Sequence, residues 1–303
     1  MTDDLDFNFE PAPAEQSGVA GTEKPSGGID FGRAFAFMVE DSRWYIKMTG
    51  IALLTLVTSV FFLVPLWLVI LAIAPPDLLA ELSELLAFIP AENIPFTSTY
   101  WLLILPVMGA FLGLMLLLGY YIEFVRQVRG GAAHPLPAWD EFGRKLYDGA
   151  MMTFAYMGYL ASNLAIAAVF VVLIRQVRGL NAELIQTTLA FCGLLPFMLI
   201  YGLVIIFLTS INVLPYSDSG NILSFYRVGW VWRRLRQDTR LTLQWFGYGL
   251  LANIGFSAPQ VIPGIGNIAS IILQLFMSIP VQGHLLGQYA ITLDEKYGNV
   301  AQA

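Results

Sequence analysis

The side chains best placed to support chemistry in an apolar setting lie in the last hydrophobic segment of this sequence. Residues 267–293 contain no Asp, Glu, Lys or Arg, yet amides and hydroxyls recur every three or four residues, at Asn267, Ser270, Gln274, Ser278 and Gln282. This spacing places all five on one face of a helix, and His284 follows them. The preceding segment repeats the pattern with Asn253, Ser257 and Gln260. We call these side chains the polar face.

Two roles are open to the polar face, because its amides and hydroxyls are neutral hydrogen-bonding groups. They could bond to one another between packed helices, at about 0.6 kcal/mol for each bond. They could instead line a path or a binding site for a small molecule. Ion-coupled transport normally depends on charged side chains within the membrane, and His284 is a poor substitute for them. The sequence therefore favours hydrogen bonding between helices.

Motifs for catalysis and metal binding are missing from the sequence. It contains no Walker A, H-E-x-x-H or G-x-S-x-G string. His134 and His284 lie in different segments, without a Cys or a carboxylate at ligand spacing. The single cysteine, Cys192, lies in an apolar segment, where a thiol is usually inert. We therefore expect no catalytic residue, no metal site, no cofactor and no enzymatic activity.

The elements that must position these residues are six stretches without Asp, Glu, Lys or Arg: 48–74, 100–122, 149–174, 187–214, 241–262 and 267–293. Each is longer than the ~20 residues that a helix needs to cross a ~30 Å hydrocarbon layer. The chain is 57% hydrophobic and only 13% charged, whereas soluble domains are about 25% charged. The sequence predicts an all-α, polytopic membrane protein with six transmembrane helices.

The distribution of positive charge predicts the orientation of these helices. If the N-terminus is inside, 14 of the 16 Lys and Arg residues lie on the cytoplasmic side, and only Arg175 and Arg178 lie outside. This is the positive-inside pattern, so we expect both termini to be cytoplasmic and the protein to lie in the cytoplasmic (inner) membrane. We also expect a disordered acidic tail at 1–28, a six-helix domain at 29–295 and a short tail at 296–303. The net charge of −6 makes a nucleic-acid partner implausible.

Three connecting segments show helical spacing of apolar and charged residues. Residues 29–47 and 222–240 are predicted to be amphipathic helices lying in the cytoplasmic interface. The outer loop 75–99 is predicted to contain a third amphipathic helix, and 263–266 to be a tight turn. In 222–240, arginines alternate with aromatic residues, which is typical of an anchor to anionic lipid headgroups. The arginines assigned to this role are Arg227, Arg233, Arg234 and Arg236.

The segment from Arg129 to Gly149 reads RGGAAHPLPAWDEFGRKLYDG, and we call it the elbow. Gly130 and its neighbour Gly131 are expected to end a helix, because glycine lets the chain leave it at little cost. Pro135 and Pro137 disfavour helix before them and keep the link extended. Trp139 is expected at the level of the lipid headgroups, where indole rings are enriched.

The second half of the elbow is predicted to start the next helix. Asp140 and Glu141 are expected in its first turn, where carboxylates are favourable near free N–H groups. Arg144 and Lys145, one turn later, can pair with those acids. Asp148-Gly149 is expected to bend the chain into the membrane. The elbow is therefore interpreted as a rigid structural link, and this interpretation needs no ligand.

The elbow closely resembles the signature of a family of bacterial and archaeal membrane proteins designated domain of unknown function 4013. The residues that carry the resemblance are Arg129, Gly130, Pro135, Leu136, Pro137, Trp139, Asp140, Phe142, Gly143, Asp148 and Gly149. Membership would imply an integral membrane protein. The family has no established activity, so the resemblance implies no catalytic residue.

Two classes of function are compatible with the sequence. The first is a scaffold or accessory subunit that assembles with other integral membrane proteins, or with copies of itself, or organises lipid. The second is a permease-like protein for a small neutral or lipidic substrate. Charged residues within the membrane would favour the second class, and their absence favours the first. Gly109-x-x-x-Gly113 and Gly283-x-x-x-Gly287 would allow close helix packing in either an oligomer or a single bundle.

Overall fold

The computed structural model describes residues 28–73, 100–132, 134–179 and 181–298, and these residues contain helices and no strand. A short helix precedes the long ones, and we number the helices in chain order. They are α1 (Arg33–Glu40), α2 (Trp44–Ile73), α3 (Tyr100–Arg129), α4 (Phe142–Arg175), α5 (Ala182–Leu189), α6 (Leu195–Ser219), α7 (Val228–Gln237), α8 (Thr239–Ser257) and α9 (Gly266–Tyr297). A π-helical turn, Ala190–Leu194, joins α5 to α6, so the chain is helical from Ala182 to Ser219. The predicted helical membrane fold is confirmed.

Five helical segments are long and apolar enough to cross a membrane. They are Trp44–Leu63, Ile104–Arg129, Phe142–Arg175, Ala182–Ser219 and Gly266–Tyr297. The predicted fifth span coincides with α8, which is only 19 residues long and carries Arg240 near its start. A sixth crossing by α8 therefore stays a prediction. The predicted helix at 75–99, most of the tail at 1–28 and the final residues of the chain lie outside the described residues.

The helices on both sides of the elbow extend beyond the uncharged stretches. Those stretches end at residue 122 and resume at residue 149, whereas α3 continues to Arg129 and α4 begins at Phe142, close to the helix ends that the elbow sequence predicted. Asp148 and Gly149 therefore lie inside α4 and do not bend the chain, contrary to our prediction. Charged residues are tolerated here because they pair: Arg126 lies 2.8 Å from Glu123 and 3.3 Å from Asp148.

The first amphipathic segment packs one side of α1 on the bundle. Phe37 and Met38 of α1 are buried, and the Phe37 ring stacks on His284 of α9 with 4.2 Å between ring centroids. The Gln288 side chain accepts from the Asp30 N–H at 2.7 Å and donates to the Asp30 carbonyl at 3.1 Å. The segment from Asp30 to Met38 therefore covers part of the second half of α9, and the interfacial position of α1 stays a prediction.

Both pairs of regularly spaced glycines contact helices of the same chain. A Cβ at Gly109 would overlap the ring of Phe61 in α2, and the side chain of Thr58 would meet one at Gly113. Gly283 and Gly287 of α9 lie in the same way against Phe124 and Val128 of α3. Small residues let helix backbones approach closely. These glycines hold α2, α3 and α9 together, so they serve the bundle itself.

The last two helices, α8 and α9, are joined by a short turn at one end and by an ion pair at the other. The Gly266 N–H donates to the Ile262 carbonyl at 3.0 Å, and Gly264 has a φ of +83°, which favours glycine. At the far end of α9, Lys296 lies 2.8 Å from Asp238, the N-cap of α8. The helix continues to Tyr297, so the predicted tail boundary at residue 296 falls inside α9.

Candidate functional site

The indole of Trp139 lies between helices. Its ring stacks on Tyr120 of α3 with 4.9 Å between centroids, and its Nε1 donates to the Lys47 carbonyl of α2 at 3.3 Å. A Cβ at Gly50 would overlap this indole. Trp139 is half-buried. Its ring thus joins the elbow to α2 and α3, and its position at the level of the lipid headgroups stays a prediction.

The proline segment of the elbow is fixed through its backbone carbonyls. Lys47 Nζ donates to the Leu136 carbonyl at 2.6 Å, and the Tyr120 hydroxyl donates to the Pro137 carbonyl at 3.1 Å. Pro135, Leu136 and Pro137 are all buried. Buried carbonyls need hydrogen-bond donors, and here α2 and α3 supply them. The proline segment of the elbow is therefore packed into the core of the bundle.

The start of α4 differs from the prediction for the two acidic residues. The helix begins at Phe142, so Asp140 and Glu141 precede its first turn, and Glu141 has a φ of +47°. Both predicted pairings are nevertheless present. Lys145 lies 3.2 Å from an Asp140 carboxylate oxygen and also donates to the Asp140 carbonyl. Arg144 lies 2.8 Å from Glu141 and 2.7 Å from Glu123 of α3.

Arg129 and Asp148, the two motif residues best suited to binding an external ion, bind partners within the chain. Arg129 donates to both carboxylate oxygens of Asp218 in α6, at 2.6 and 2.7 Å. It also donates to Asp294 in α9, at 2.8 and 3.4 Å. Asp148 accepts from the Tyr216 hydroxyl at 2.8 Å. These bonds connect α3, α4, α6 and α9 at one end of the bundle.

A very close helix contact involves Gly149, the last residue of the elbow, and Gly119 of α3. A Cβ at Gly149 of α4 would overlap the Met115 carbonyl oxygen of α3, and a Cβ at Gly119 would overlap the Lys145 carbonyl oxygen. Reciprocal glycines thus bring the two backbones together. Gly149 belongs to the string that carries the family resemblance, but we interpreted it as part of a bend, and Gly119 lies outside that string. Phe142 is exposed and Gly143 has open space around it.

Asp41 provides a titratable contact on the α2 side of the elbow. Its carboxylate accepts from Lys47 Nζ at 2.7 Å and from the Arg43 N–H at 2.8 Å. Burial alone would raise the pKa of Asp41, but these two bonds outweigh burial and hold the pKa below its usual value. The bonds therefore stabilise the fold above a pH of about 4, and this stabilisation is lost as pH falls through the lowered pKa.

We predict that Asp41→Asn lowers the melting temperature at pH 7, because Lys47 loses its charged partner next to the elbow. The difference from the wild-type protein should begin to shrink below a pH of about 4 and should disappear as pH falls through the lowered pKa of Asp41, where the wild-type carboxylate becomes protonated. Melting curves of both proteins in detergent from pH 3 to 8 would measure this. A difference that stays constant across the range would show that the Asp41 charge does not stabilise the fold.

The polar face is divided among three locations. Near the α8–α9 turn, Gln274 donates to Ser257 at 3.2 Å, and Gln260 donates to Ser270 at 3.2 Å. At the opposite end, His284 shares a hydrogen bond of 2.9 Å with Gln288 and contacts α1. The third group is Asn253, Ser278 and Gln282, which lies between these two ends. The polar residues along one face of α9 therefore contact three different parts of the bundle.

This central group lines a cavity of about 490 Å³ between α3, α4, α6, α8 and α9. Most of the wall is aliphatic or aromatic, including Tyr121, Trp245 and Phe246. Asn253 and Gln282 both donate to the Gly249 carbonyl, at 3.0 and 2.9 Å. The sequence identified the polar residues of this wall but could not show that helices from both halves of the chain enclose a space.

The basic segment forms α7, which has one buried and one exposed side. Arg234, one of the four predicted headgroup contacts, is buried and donates to Gln237 at 2.8 Å. Burial lowers the pKa of its guanidinium. Arg227, Arg233 and Arg236 are exposed, and the Arg236 guanidinium lies 5.0 Å from the ring of exposed Trp232. Among the described residues, no group of three or more His, Cys, Asp or Glu could hold a metal ion.

Comparison with known proteins agrees with the elbow string. The family described as "Protein of unknown function (DUF4013)" matches residues 101–268, which is more than half of the chain. The matched range runs from α3 to the start of α9 and contains the whole elbow. No curated protein and no solved structure matches the chain. The resemblance inferred from the sequence is confirmed, and the description of the family assigns no function.

Proposed function

This chain belongs to the DUF4013 family, whose function is not known, and we propose a function for it from its own contacts. We propose that it is a scaffold or accessory subunit of a membrane complex, a multi-pass protein of the cytoplasmic membrane without enzymatic activity. Its partners would be other integral membrane proteins or copies of itself. Both termini would face the cytoplasm, as the distribution of 14 of 16 Lys and Arg residues favours.

One observation carries this proposal: the motif residues most capable of chemistry are occupied by intramolecular bonds. Arg129 is bound by two carboxylates and Asp148 by a tyrosine hydroxyl. Lys145 is bound by Asp140. A catalytic group must lie within hydrogen-bond reach of its substrate, and these side chains instead bond to partners within the chain. These motif residues connect the helices to one another, and such internal connections suit a rigid scaffold.

Reciprocal purification from native membranes tests the scaffold role. The tagged chain, extracted in mild detergent, should retain an integral membrane protein or a second copy at a fixed ratio. Tagging that partner should recover this chain at the same ratio. A chain that elutes alone at monomer size, from several detergents and from lipid discs, would contradict the proposal.

The exposed side of α7 is the part of the surface that we propose for anionic lipid. Arg233, Arg236 and Trp232 are exposed together, and each basic residue near an anionic membrane surface contributes about 1 kcal/mol. Arg234 takes no part in this contact, because it is buried. The double variant Arg233→Gln/Arg236→Gln should copurify with less phosphatidylglycerol than the matched variant Arg178→Gln. Equal amounts would remove this lipid contact from the proposal.

A second candidate function, permease-like passage of a small neutral or lipidic substrate, is favoured by the cavity beside Ser278. The two functions differ in whether water reaches this position. If the cavity is part of an open path, a cysteine at Ser278 should react with a water-soluble maleimide. If the polar residues serve packing and an apolar space, the cysteine should not react.

We predict that Ser278→Cys, in a Cys192→Ser background, resists a membrane-impermeant maleimide in native membranes. The same experiment tests the orientation: Ile265→Cys in the α8–α9 turn should react from outside, whereas Ala138→Cys in the elbow should react only after the membrane is opened. Both control positions are exposed. Rapid reaction at Ser278 would make the permease the better proposal, and reaction at Ala138 from outside would overturn the orientation.

A further inference from the structure

We propose that the cavity between α3, α4, α6, α8 and α9 binds a neutral, mostly apolar molecule that carries a hydroxyl group and enters from the bilayer. The inference goes beyond the scaffold role and concerns binding alone. It holds whether or not the bound molecule is moved across the membrane.

The size and the wall of the cavity are those of a small-molecule site. Its volume is about 490 Å³, within the roughly 300–1,000 Å³ that is usual for ligand pockets. Such pockets are lined mainly by apolar and aromatic side chains with a few polar groups, and this wall has that composition. Elsewhere in the bundle glycines allow direct helix contact, so the space between these helices stands out from the packing around it.

The polar part of the wall determines the chemistry of the ligand. Asn253 and Gln282 use an amide N–H to reach the Gly249 carbonyl. Their side-chain oxygens, and the Ser278 hydroxyl, have no hydrogen-bond partner among the described residues. Two free amide oxygens are acceptors and require a donor. A ligand hydroxyl supplies that donor and can accept in turn from Ser278.

Trp245 is a further residue of the wall whose polar group lacks a partner. It lines the cavity, only 5% of its surface is exposed, and its Nε1 has no hydrogen-bond partner among the described residues. A buried N–H without a partner is costly, but this nitrogen has almost no accessible surface, so a ligand oxygen would reach it only if the indole turned toward the cavity. No residue that lines the cavity is charged. A charged ligand would lose its hydration without compensation there, so the ligand is neutral.

The route of entry follows from the outer edge of the cavity. Four aliphatic residues of the wall are also exposed on the outside of the bundle, with 40–54% of their surface accessible: Leu114, Leu203, Ile206 and Leu250. An aliphatic edge on a membrane-spanning bundle faces hydrocarbon. A molecule dissolved in the bilayer therefore reaches the cavity without passing through water.

The experiment uses the full chain in lipid discs and three photoreactive probes that share one hexadecyl chain bearing a diazirine. The first probe is the hexadecyl alcohol, the second is the alkane without the hydroxyl, and the third is a phosphatidylcholine with this chain. Peptide mass spectrometry locates the attachment. We expect the alcohol to label α8 and α9 around Asn253 and Ser278 about fivefold more than the alkane, since a buried hydrogen bond contributes about 1 kcal/mol.

Variants at the edge of the cavity separate binding from general partitioning. Ile206→Trp should block the edge and reduce labelling at α8 and α9 by the alcohol about tenfold. Leu199→Trp is the matched control, because Leu199 is exposed on the same helix but does not line the cavity. It should leave labelling unchanged. Ser278→Ala, which keeps the packing, should reduce the preference for the alcohol over the alkane.

Three outcomes would overturn the proposal. Equal labelling by alkane and alcohol would show that no polar group recognises the ligand. Stronger labelling by phosphatidylcholine would assign the cavity to ordinary bilayer lipid. Equal labelling of Ile206→Trp and Leu199→Trp, with both variants folded, would place the label outside the cavity. These outcomes are independent of partner purification, so the site and the scaffold role can fail separately.

Discussion

Gly149→Ala is expected to remove most of the folded protein. The added methyl group would overlap the Met115 carbonyl oxygen, and a backbone atom cannot turn aside as a side chain can. The two helices would have to separate, which would also disturb the pairing of Asp148 with Tyr216 and Arg126. Overpacking a well-packed core costs about 1–3 kcal/mol and occasionally more. We expect the upper end, about 3 kcal/mol, because the contact is with the backbone.

Gly143→Ala provides the matched control for this substitution. It lies in the same helix, and a Cβ there meets no atom within 4 Å. Alanine should leave stability unchanged or raise it by up to about 1 kcal/mol through its helix propensity. Thermal unfolding and the monodisperse yield in detergent would compare the two variants. If Gly149→Ala were as stable as Gly143→Ala, α3 and α4 would not be in the contact described above.

The second large effect is expected from Pro137→Ala/Trp139→Ala in the elbow. The substitutions remove the ring that packs on Tyr120 and Gly50 and the stiffness of the segment held by the Tyr120 hydroxyl. Truncation of a buried Trp lowers the free energy of unfolding by about 3–5 kcal/mol. Because Trp139 is only half-buried, we expect its truncation to lower that free energy by about 2–3 kcal/mol.

Trp232→Ala is the control for the elbow variant, because Trp232 is exposed on α7 and should change stability little. Chemical or thermal unfolding in a single detergent would measure both. A double variant as stable as the wild-type protein that nevertheless lost its membrane partner would identify the elbow as a recognition surface. That outcome would reverse our structural interpretation of the motif.

The helical membrane architecture was predictable because hydropathy is a local property of the sequence. Uncharged stretches of sufficient length predicted helices at the positions of α2, α3, α4, α6, α8 and α9. The end of α3 was predictable for a local reason too, since Gly131 with its φ of +71° follows directly. Each of these inferences needed only neighbouring residues.

The contacts of the charged residues were not predictable, because their partners are distant in the sequence. Arg129 pairs with Asp294, 165 positions away. The uncharged stretches stop before Glu123 and resume after Asp148, so they could not show that both charged residues lie inside helices and are paired there. The burial of α1 has the same cause, since its amphipathic pattern fits a lipid interface as well as the His284 end of α9. A single sequence cannot distinguish these two surroundings.

The cavity could not be predicted from the sequence of any single helix. The spacing of Ser278 and Gln282 correctly put them on one face, but helices from both halves of the chain form the opposite wall. Whether polar groups meet each other or an open space depends on helix packing. The sequence could therefore identify the residues and leave both roles open.

A double-mutant cycle between Arg129 and Asp294 tests most directly whether the motif residues act within the chain. Unfolding free energies of Arg129→Met, Asp294→Asn and the double variant give the coupling of the pair. We predict a coupling free energy of at least about 1 kcal/mol, as expected for two charged side chains in a hydrogen-bonded ion pair. A coupling near zero, with Arg129→Met as stable as the wild-type protein, would contradict the internal role and leave Arg129 available for an external partner.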